Sequence, residues 1–161
     1  MSEYKRPSWD EYFQEIREAV AKRATCDRGR SGCVIAQDKQ ILATGYVGAP
    51  IGLPRCDEAG HLMKEMINED GTHSKHCVRT AHAEMNAITN AAKNGMKIEG
   101  GTVYCLMTPC RTCAMAIINA GIKRVHCIRK YHAGKESEEM FKTVGIELVY
   151  VEDTTQQYIN Q

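Results

Sequence analysis

The run TAHAEMNAI places an imidazole and a carboxylate, His82 and Glu84, two residues apart at the start of a predicted helix. Residues i and i+2 of a helix do not face each other, so the two side chains cannot be equivalent ligands on one helical stripe. Further along, the run PCRTC places Cys110 and Cys113 three residues apart at the start of another predicted helix. Both cysteines then lie on one helix face, where they can bind one metal ion.

His82, Cys110 and Cys113 together form a set typical of catalytic zinc. Two thiolates and one imidazole supply three ligands and leave the fourth tetrahedral position for water. A helix N-terminus favours the thiolate form of cysteine, and Pro109 suits a helix entry. Glu84, near the metal but not bound to it, can take a proton from the zinc-bound water and pass it on. A CxxC pair alone also fits redox pairs and zinc ribbons, whereas HxE followed by PCxxC is much more specific.

A second group of potential metal ligands lies in the first half of the chain. Its members are Cys26, Cys56, His61 and Cys77, with His73 and His76 close by. One interpretation is that these are scattered free thiols. The other is that Cys26, Cys56, His61 and Cys77 hold a structural zinc, with His73 or His76 as the alternative fourth ligand. Structural zinc uses four ligands of these types and can order an otherwise irregular segment.

Length and composition predict a single domain spanning residues 1–161. The chain is 43% hydrophobic and 25% charged, as is usual for globular proteins, and it has no long apolar run for a membrane span. Its formal net charge of +1 indicates neither a nucleic-acid nor a membrane partner. The N-terminus lacks the apolar core of a secretory signal, and eight cysteines then favour metal binding in a reducing compartment. We therefore expect a cytoplasmic protein.

The hydrophobic pattern predicts an α/β protein. Apolar residues at three/four spacing predict a helix over residues 8–23, and two short apolar runs around Gln37-Asp38-Lys39 predict a hairpin. Residues 48–80 form a long segment without clear periodicity, in which HLMKEMI is compatible with a short helix. Helices and strands alternate after His82, which indicates a layered sheet with helices on both faces.

The runs HAEMNAI and TPCRTC together resemble the cytidine deaminase superfamily. Together with RPSWDEYF, GYVGAP, CVRTAHAEMNAI and AGIKRVHCIRKYH, they resemble the deoxycytidylate (dCMP) deaminases over nearly the whole chain. The resemblance implies a three-layer α/β/α cytidine-deaminase-like fold with a central five-stranded mixed sheet. It also implies a hydrolase that converts dCMP to dUMP, releases ammonia and feeds thymidylate synthesis. His82, Cys110 and Cys113 would bind the catalytic Zn²⁺, and Glu84 would be the proton shuttle.

The resemblance extends to partners and to further sites. It implies a homo-oligomer, often a hexamer, with dCTP and dTTP as candidate effectors and Mg²⁺ as a companion of a triphosphate effector. Some dCMP deaminases of microbes and their viruses carry a second, structural zinc in the region of Cys26 to Cys77.

The chain departs from the family at one position, because the family usually has Asn where this chain has Val47. A valine side chain neither donates nor accepts hydrogen bonds, so contacts to the substrate sugar or to an effector must differ here. Arg28, Arg30 and Lys93 are candidates for binding a nucleotide phosphate.

Three functions compete at this stage. The first is dCMP deamination. The second is deamination of another or a modified cytosine nucleotide, or of a base in tRNA; the near-neutral net charge argues against a nucleic-acid substrate. The third is a catalytically silent, zinc-stabilised interaction protein. The presence of His82, Glu84, Cys110 and Cys113 argues against the third, because a degenerate copy would most readily have lost the glutamate.

Overall fold

The structure is a computed structural model that describes residues 3–157. Its helices are α1 Trp9–Ala21, α2 Cys56–Ala59, α3 Ala83–Lys93, α4 Arg111–Asn119 and α5 Lys135–Val144. Its strands are β1 Gly32–Gln37, β2 Gln40–Tyr46, β3 Met63–Ile67, β4 His73–Cys77, β5 Thr102–Met107, β6 Arg124–Tyr131, β7 Glu147–Tyr150 and β8 Thr155–Gln156.

The main sheet is mixed and has the order β2-β1-β5-β6-β7. Strand β1 pairs antiparallel with β2 and β5, whereas β5, β6 and β7 run parallel. Strand β8 pairs with the end of β6, which makes six strands where five are predicted. The extra strand has a physical reason: β7 ends opposite Cys127, and the unpaired last residues of β6 need backbone partners, which β8 supplies.

The layers confirm the predicted α/β/α arrangement. Helix α1 covers one face of the sheet, where Phe13 packs with Val34, Ala36 and Tyr104. Helices α3, α4 and α5 cover the other face and contribute most of the main core. The fully buried residues of that core include Cys33, Ile35, Val103, Cys105, Ile117, Val125, Cys127 and Phe141. Cys33, Cys105 and Cys127 thus pack as small apolar side chains inside strands.

The β1–β2 hairpin is present where the sequence predicts it. Its turn residues Asp38 and Lys39 both have positive φ, 51° and 65°. Two consecutive left-handed residues form the turn that matches the right-handed twist of a two-residue hairpin. The turn therefore fixes the register in which β2 leads into the GYVG run.

The short helix with which the run HLMKEMI is compatible does not form. Met63–Ile67 forms strand β3, which pairs antiparallel with β4 in a separate two-stranded sheet. Residues Met63, Glu65 and Ile67 lie opposite Cys77, Lys75 and His73. Pairing with a partner strand ten or so residues later overrides the local helix propensity, which is a weak preference by comparison.

A polar network ties α1 to the sheet. The carboxylate of Asp10 accepts two hydrogen bonds from the guanidinium of Arg124, both 2.7 Å, and one of 2.7 Å from the hydroxyl of Tyr104. The side-chain amide of Gln14 donates to the backbone carbonyl of His126 at 3.1 Å. The contact with Arg124 lowers the pKa of Asp10 to about 2.

We predict that Asp10→Asn removes part of the acid sensitivity of folding. The pKa of Asp10 is depressed in the folded protein, so its contribution is present above its ordinary pKa of about 4 and is lost as the pH falls towards 2. Its side chain is partly exposed, so the contribution is about 1 kcal/mol. Urea unfolding from about pH 5 to about pH 2 should show a smaller loss of stability in Asp10→Asn than in wild type.

The control is Glu99→Gln, which removes a carboxylate whose ion pair with Lys97 lies at the surface. This variant should follow the wild-type pH dependence. Parallel curves for wild type and Asp10→Asn would contradict the assigned role of Asp10.

Candidate metal centre and active site

His82, Cys110 and Cys113 meet where two helices begin. His82 is the N-cap residue of α3, Cys110 is the N-cap residue of α4, and Cys113 lies in the first turn of α4. Nδ1 of His82 lies 3.4 Å from Sγ of Cys110 and 3.5 Å from Sγ of Cys113. The structure therefore brings together three side chains that the sequence separates by up to 31 residues.

This geometry fits zinc. Tetrahedral zinc has bonds of about 2.3 Å to sulfur and about 2.0 Å to nitrogen, so a bound sulfur and nitrogen lie roughly 3.5 Å apart. The three potential ligand atoms all lie within 4.8 Å of one another. Two thiols and an imidazole are also the donor types that zinc prefers.

The pKa values of Cys110, His82 and Cys113 depend on one another, as expected for side chains that can share a bound cation. The hydrogen bond with Cys113 lowers the pKa of Cys110 to about 4, and the contact with Cys110 raises the pKa of His82 to about 9. The same contact with Cys110 raises the pKa of Cys113. The protein alone thus pairs a thiolate with protons on its neighbours, and a bound cation would take the place of those protons.

Glu84 lies in the first turn of α3 and is 9% exposed. It is not a member of the three-residue ligand group. Burial raises the pKa of its carboxyl group, and the positive charge of His82 acts in the opposite direction. A buried carboxyl group whose pKa is moved towards neutrality is suited to exchange protons with a bound substrate.

Two further residues position α3, and the sequence analysis missed both. The side-chain amide of Asn86 donates to the backbone carbonyl of Tyr46 at 2.7 Å. A Cβ atom on Gly45 would lie 2.3 Å from the backbone nitrogen of Ala87, so only glycine allows β2 to approach α3 this closely. For Gly45, the sequence feature that could have identified this role is a glycine inside a predicted strand.

The second group of potential ligands also comes together. Cys26, Cys56, His61 and Cys77 each offer an atom within 4.8 Å of the others. Sγ of Cys26 lies 3.6 Å from Nδ1 of His61, and the Sγ atoms of Cys56 and Cys77 are 3.5 Å apart. Nε2 of His61 lies 3.1 Å from the carboxylate of Asp27, an arrangement often found behind metal-binding histidines.

The two alternative histidines have other partners. Nδ1 of His73 lies 3.1 Å from the carboxylate of Glu65. Nε2 of His76 lies 2.7 Å from the hydroxyl of Ser74. The structure therefore groups His61, rather than either of these, with the three cysteines.

The candidate nucleotide-binding residues lie in different places. Val47 packs against the main core, one residue before Gly48, which pairs with Ala81 beside His82. Arg30 is exposed in the loop before β1. Lys93 ends α3 and lies about 15 Å along the helix axis from its start, so the structure does not bring it to the metal-ligand group.

Arg28 is half-buried and belongs to a group of basic side chains, with His76 and His132, beside the site. Burial and the positive charges of His82, His132 and Arg28 lower the pKa of His76. Arg28 follows Cys26 by two residues and His76 precedes Cys77 by one, so the contact between the cysteines holds both side chains near His82.

Within residues 3–157, no helix has both the length and the apolar character needed to cross a bilayer.

Residues 7–129 match the sequence model of the family described as the cytidine and deoxycytidylate deaminase zinc-binding region. The chain is 37% identical over 147 residues to ComE operon protein 2 of Bacillus subtilis, covering 91% of this chain and 73% of that protein. It is 34% identical over 146 residues to the deoxycytidylate deaminase of Saccharomyces cerevisiae, covering 91% of this chain and 46% of that protein. It thus spans less than half of the yeast relative.

Among solved structures, the dCMP deaminase from the cyanophage S-TIM5 in complex with dCMP and dUMP matches with a TM-score of 0.71 and 26% identity. The match covers 91% of this chain and 99% of that chain.

Proposed function

Because the chain belongs to the cytidine and deoxycytidylate deaminase zinc-binding family, we propose that it is a zinc-dependent hydrolase that deaminates dCMP to dUMP and releases ammonia. The observation that carries this proposal is the meeting of His82, Cys110 and Cys113 beside the buried carboxyl group of Glu84. The name of the yeast relative and the nucleotides bound to the cyanophage enzyme support dCMP as the substrate.

His82, Cys110 and Cys113 would hold the catalytic zinc, which when bound supplies a water activated for attack at neutral pH. Glu84 accepts a proton from the water that attacks C4 of cytosine and delivers it to N3. Glu84 then takes the second proton of that water and passes it to the amino nitrogen on C4, so that ammonia leaves and dUMP remains. One carboxyl group thus serves as base and then as acid.

The phosphate of the nucleotide is the substrate group that Arg28 and the neighbouring imidazoles of His76 and His132 fit best. Arg28, His76 and His132 lie close to one another beside the metal-ligand residues, so several nitrogen donors are available to one phosphate group there. Charge-assisted hydrogen bonds to phosphate are roughly twice as strong as neutral ones. We propose that Arg28, His76 and His132 bind the 5′-phosphate and that the sugar and the base lie towards Glu84.

A second zinc is proposed at Cys26, Cys56, His61 and Cys77. Three cysteines and one histidine are a closed, structural set of ligands, with no position left for water. Its binding free energy would be largely folding free energy, because the ligands come from three separate parts of the chain. This zinc would hold Arg28 and His76 in place.

The wider biology stays a proposal. We propose a homo-oligomer of single deaminase domains in the cytoplasm; the grouping of five cysteines into two candidate metal sites supports a reducing compartment. Regulation by dCTP or dTTP, with Mg²⁺ accompanying the triphosphate, would act near the GYVG run, where Val47 alters nucleotide contacts. A different cytosine nucleotide is the alternative substrate; the net charge of +1 disfavours a base in nucleic acid.

We predict that Glu84→Gln keeps its metal and loses deamination. Glutamine has the size and the hydrogen-bonding capacity of glutamate but cannot carry the proton, and general acid–base groups typically contribute roughly 10²–10⁴-fold in rate. Ammonia release should be followed with dCMP, CMP, deoxycytidine, dCTP and an RNA hairpin, alongside metal analysis.

Wild type should act best on dCMP. A Glu84→Gln protein with near-normal turnover would contradict the role of the carboxyl group. If wild type preferred the RNA hairpin, the proposal that dCMP is the substrate would be wrong.

We predict that Arg28→Gln selectively weakens the use of phosphorylated substrate. Losing a charge-assisted contact costs about 1.5–3 kcal/mol, so kcat/KM for dCMP should fall roughly 10- to 100-fold. The same ratio for deoxycytidine, which lacks the phosphate, should change little. Arg30→Gln is the matched control and should leave both ratios near wild type. Equal losses with dCMP and deoxycytidine would rule out a phosphate contact.

We predict two zinc ions per chain in wild type, one in His61→Ala and two in His73→Ala. His61 lies with the three cysteines, whereas the exposed His73 contacts Glu65. Metal content should be measured on protein purified without chelator, together with the melting temperature, which should fall in His61→Ala. This ligand set would be disproved if wild type bound one zinc per chain, or if His73→Ala rather than His61→Ala lost a zinc ion.

A further inference from the structure

A chain of hydrogen bonds joins the ends of the three parallel strands. The backbone N–H of Tyr131, at the end of β6, donates to Oγ1 of Thr108 at 3.1 Å. Oγ1 of Thr108, directly after β5, lies 2.7 Å from the hydroxyl of Tyr150 at the end of β7. That hydroxyl donates to the carboxylate of Glu138 in α5, also at 2.7 Å.

The directions of the hydrogen bonds in this network follow from one another. The hydroxyl of Tyr150 has one hydrogen, which it donates to the carboxylate oxygen of Glu138. The hydroxyl of Thr108 must therefore donate to the oxygen of Tyr150 and accept from Tyr131. Burial raises the pKa of Tyr150, which keeps the proton on the hydroxyl. Each bond polarises the next, so the chain acts as a unit.

Thr108 has no space for another orientation. It is 1% exposed. A Cβ atom on Gly134, the N-cap residue of α5, would lie 2.8 Å from Cβ of Thr108. The backbone at the start of α5 is therefore packed directly against this side chain. Steric contact on one side and hydrogen bonds on the other hold it in one rotamer.

Thr108 lies only two residues before Cys110, and the rigid Pro109 stands between them. The contacts that fix Thr108 therefore act on the short stretch of backbone that leads from β5 to Cys110. We propose that Thr108, Tyr150 and Glu138 are positioning residues that hold Cys110 in metal-binding geometry. This inference rests on the proposed catalytic zinc site.

The test compares zinc release from variants of the chain. Tyr150→Phe removes one hydroxyl and keeps the ring; Thr108→Val removes the other and keeps the shape. Thr108→Ser keeps the hydroxyl. Thr143→Val is the matched control, because its hydroxyl donates to the backbone carbonyl of Glu139 within α5. Zinc-loaded proteins are mixed with a chromogenic chelator, and the release phase that is absent in Cys110→Ala identifies the catalytic site.

We expect that phase to be roughly 10- to 100-fold faster in Tyr150→Phe and in Thr108→Val, because losing a residue that orients a metal ligand typically lowers metal affinity by this factor. The phase of the second zinc and the behaviour of Thr108→Ser and Thr143→Val should match wild type. The double variant Thr108→Val/Tyr150→Phe should release zinc no faster than the faster single variant. Either substitution alone already interrupts the same series of hydrogen bonds. kcat for dCMP should fall while KM changes less than about twofold.

Two results would overturn the proposal alone: an unchanged catalytic phase in both variants, or equal acceleration of both phases with a lower melting temperature of the zinc-loaded protein. The second result would make the network a general contributor to stability. A wild type without any phase that Cys110→Ala removes would instead overturn the catalytic zinc site, and this proposal with it.

Discussion

The N-termini of α3 and α4 lie close together, because their N-cap residues His82 and Cys110 are in contact. The candidate metal centre depends on this contact. A helix N-terminus carries partial positive charge and therefore disfavours a bare cation. The same partial charge stabilises thiolates. Two thiolates can neutralise a divalent ion there, which explains why a cysteine pair suits this position better than a second and third histidine would.

Burial of Glu84 is the second requirement, and the sheet provides it. The close approach of β2 to α3 at Gly45 and the amide of Asn86 hold the first turn of α3 against the sheet. Glu84 is thereby removed from water, and burial raises the pKa of its carboxyl group. An exposed glutamate would stay ionised and would transfer protons less readily to a substrate.

The segment of residues 48–80 shows how a long irregular region can be ordered without a core of its own. Strand β3 is exposed and β4 is exposed or half-buried, and within residues 3–157 the two strands pair with each other alone. An isolated two-stranded hairpin is marginally stable in water. The close contact of Cys56 and Cys77 at its base, next to Cys26 and His61, ties it to the rest of the chain. Arg28 and His76 are held near the active site by the same contact.

Local pattern in the sequence was sufficient for much of the fold and for the site chemistry. The three/four spacing of α1, the turn at Asp38-Lys39 and the helix starts at His82 and Cys110 depend on neighbouring residues only, and the structure has them all. The residue types of HxE and PCxxC likewise indicated zinc chemistry from spacing alone.

Tertiary structure decided what depends on distant partners. The strand at Met63–Ile67 forms in place of the short helix compatible with its sequence because β4 supplies its backbone bonds, and β8 exists because the end of β6 needed them. Only the folded chain groups His61 with the cysteines, separates Lys93 from the site and links Thr108 to Tyr150. Such contacts join residues far apart in sequence, and no local preference specifies them.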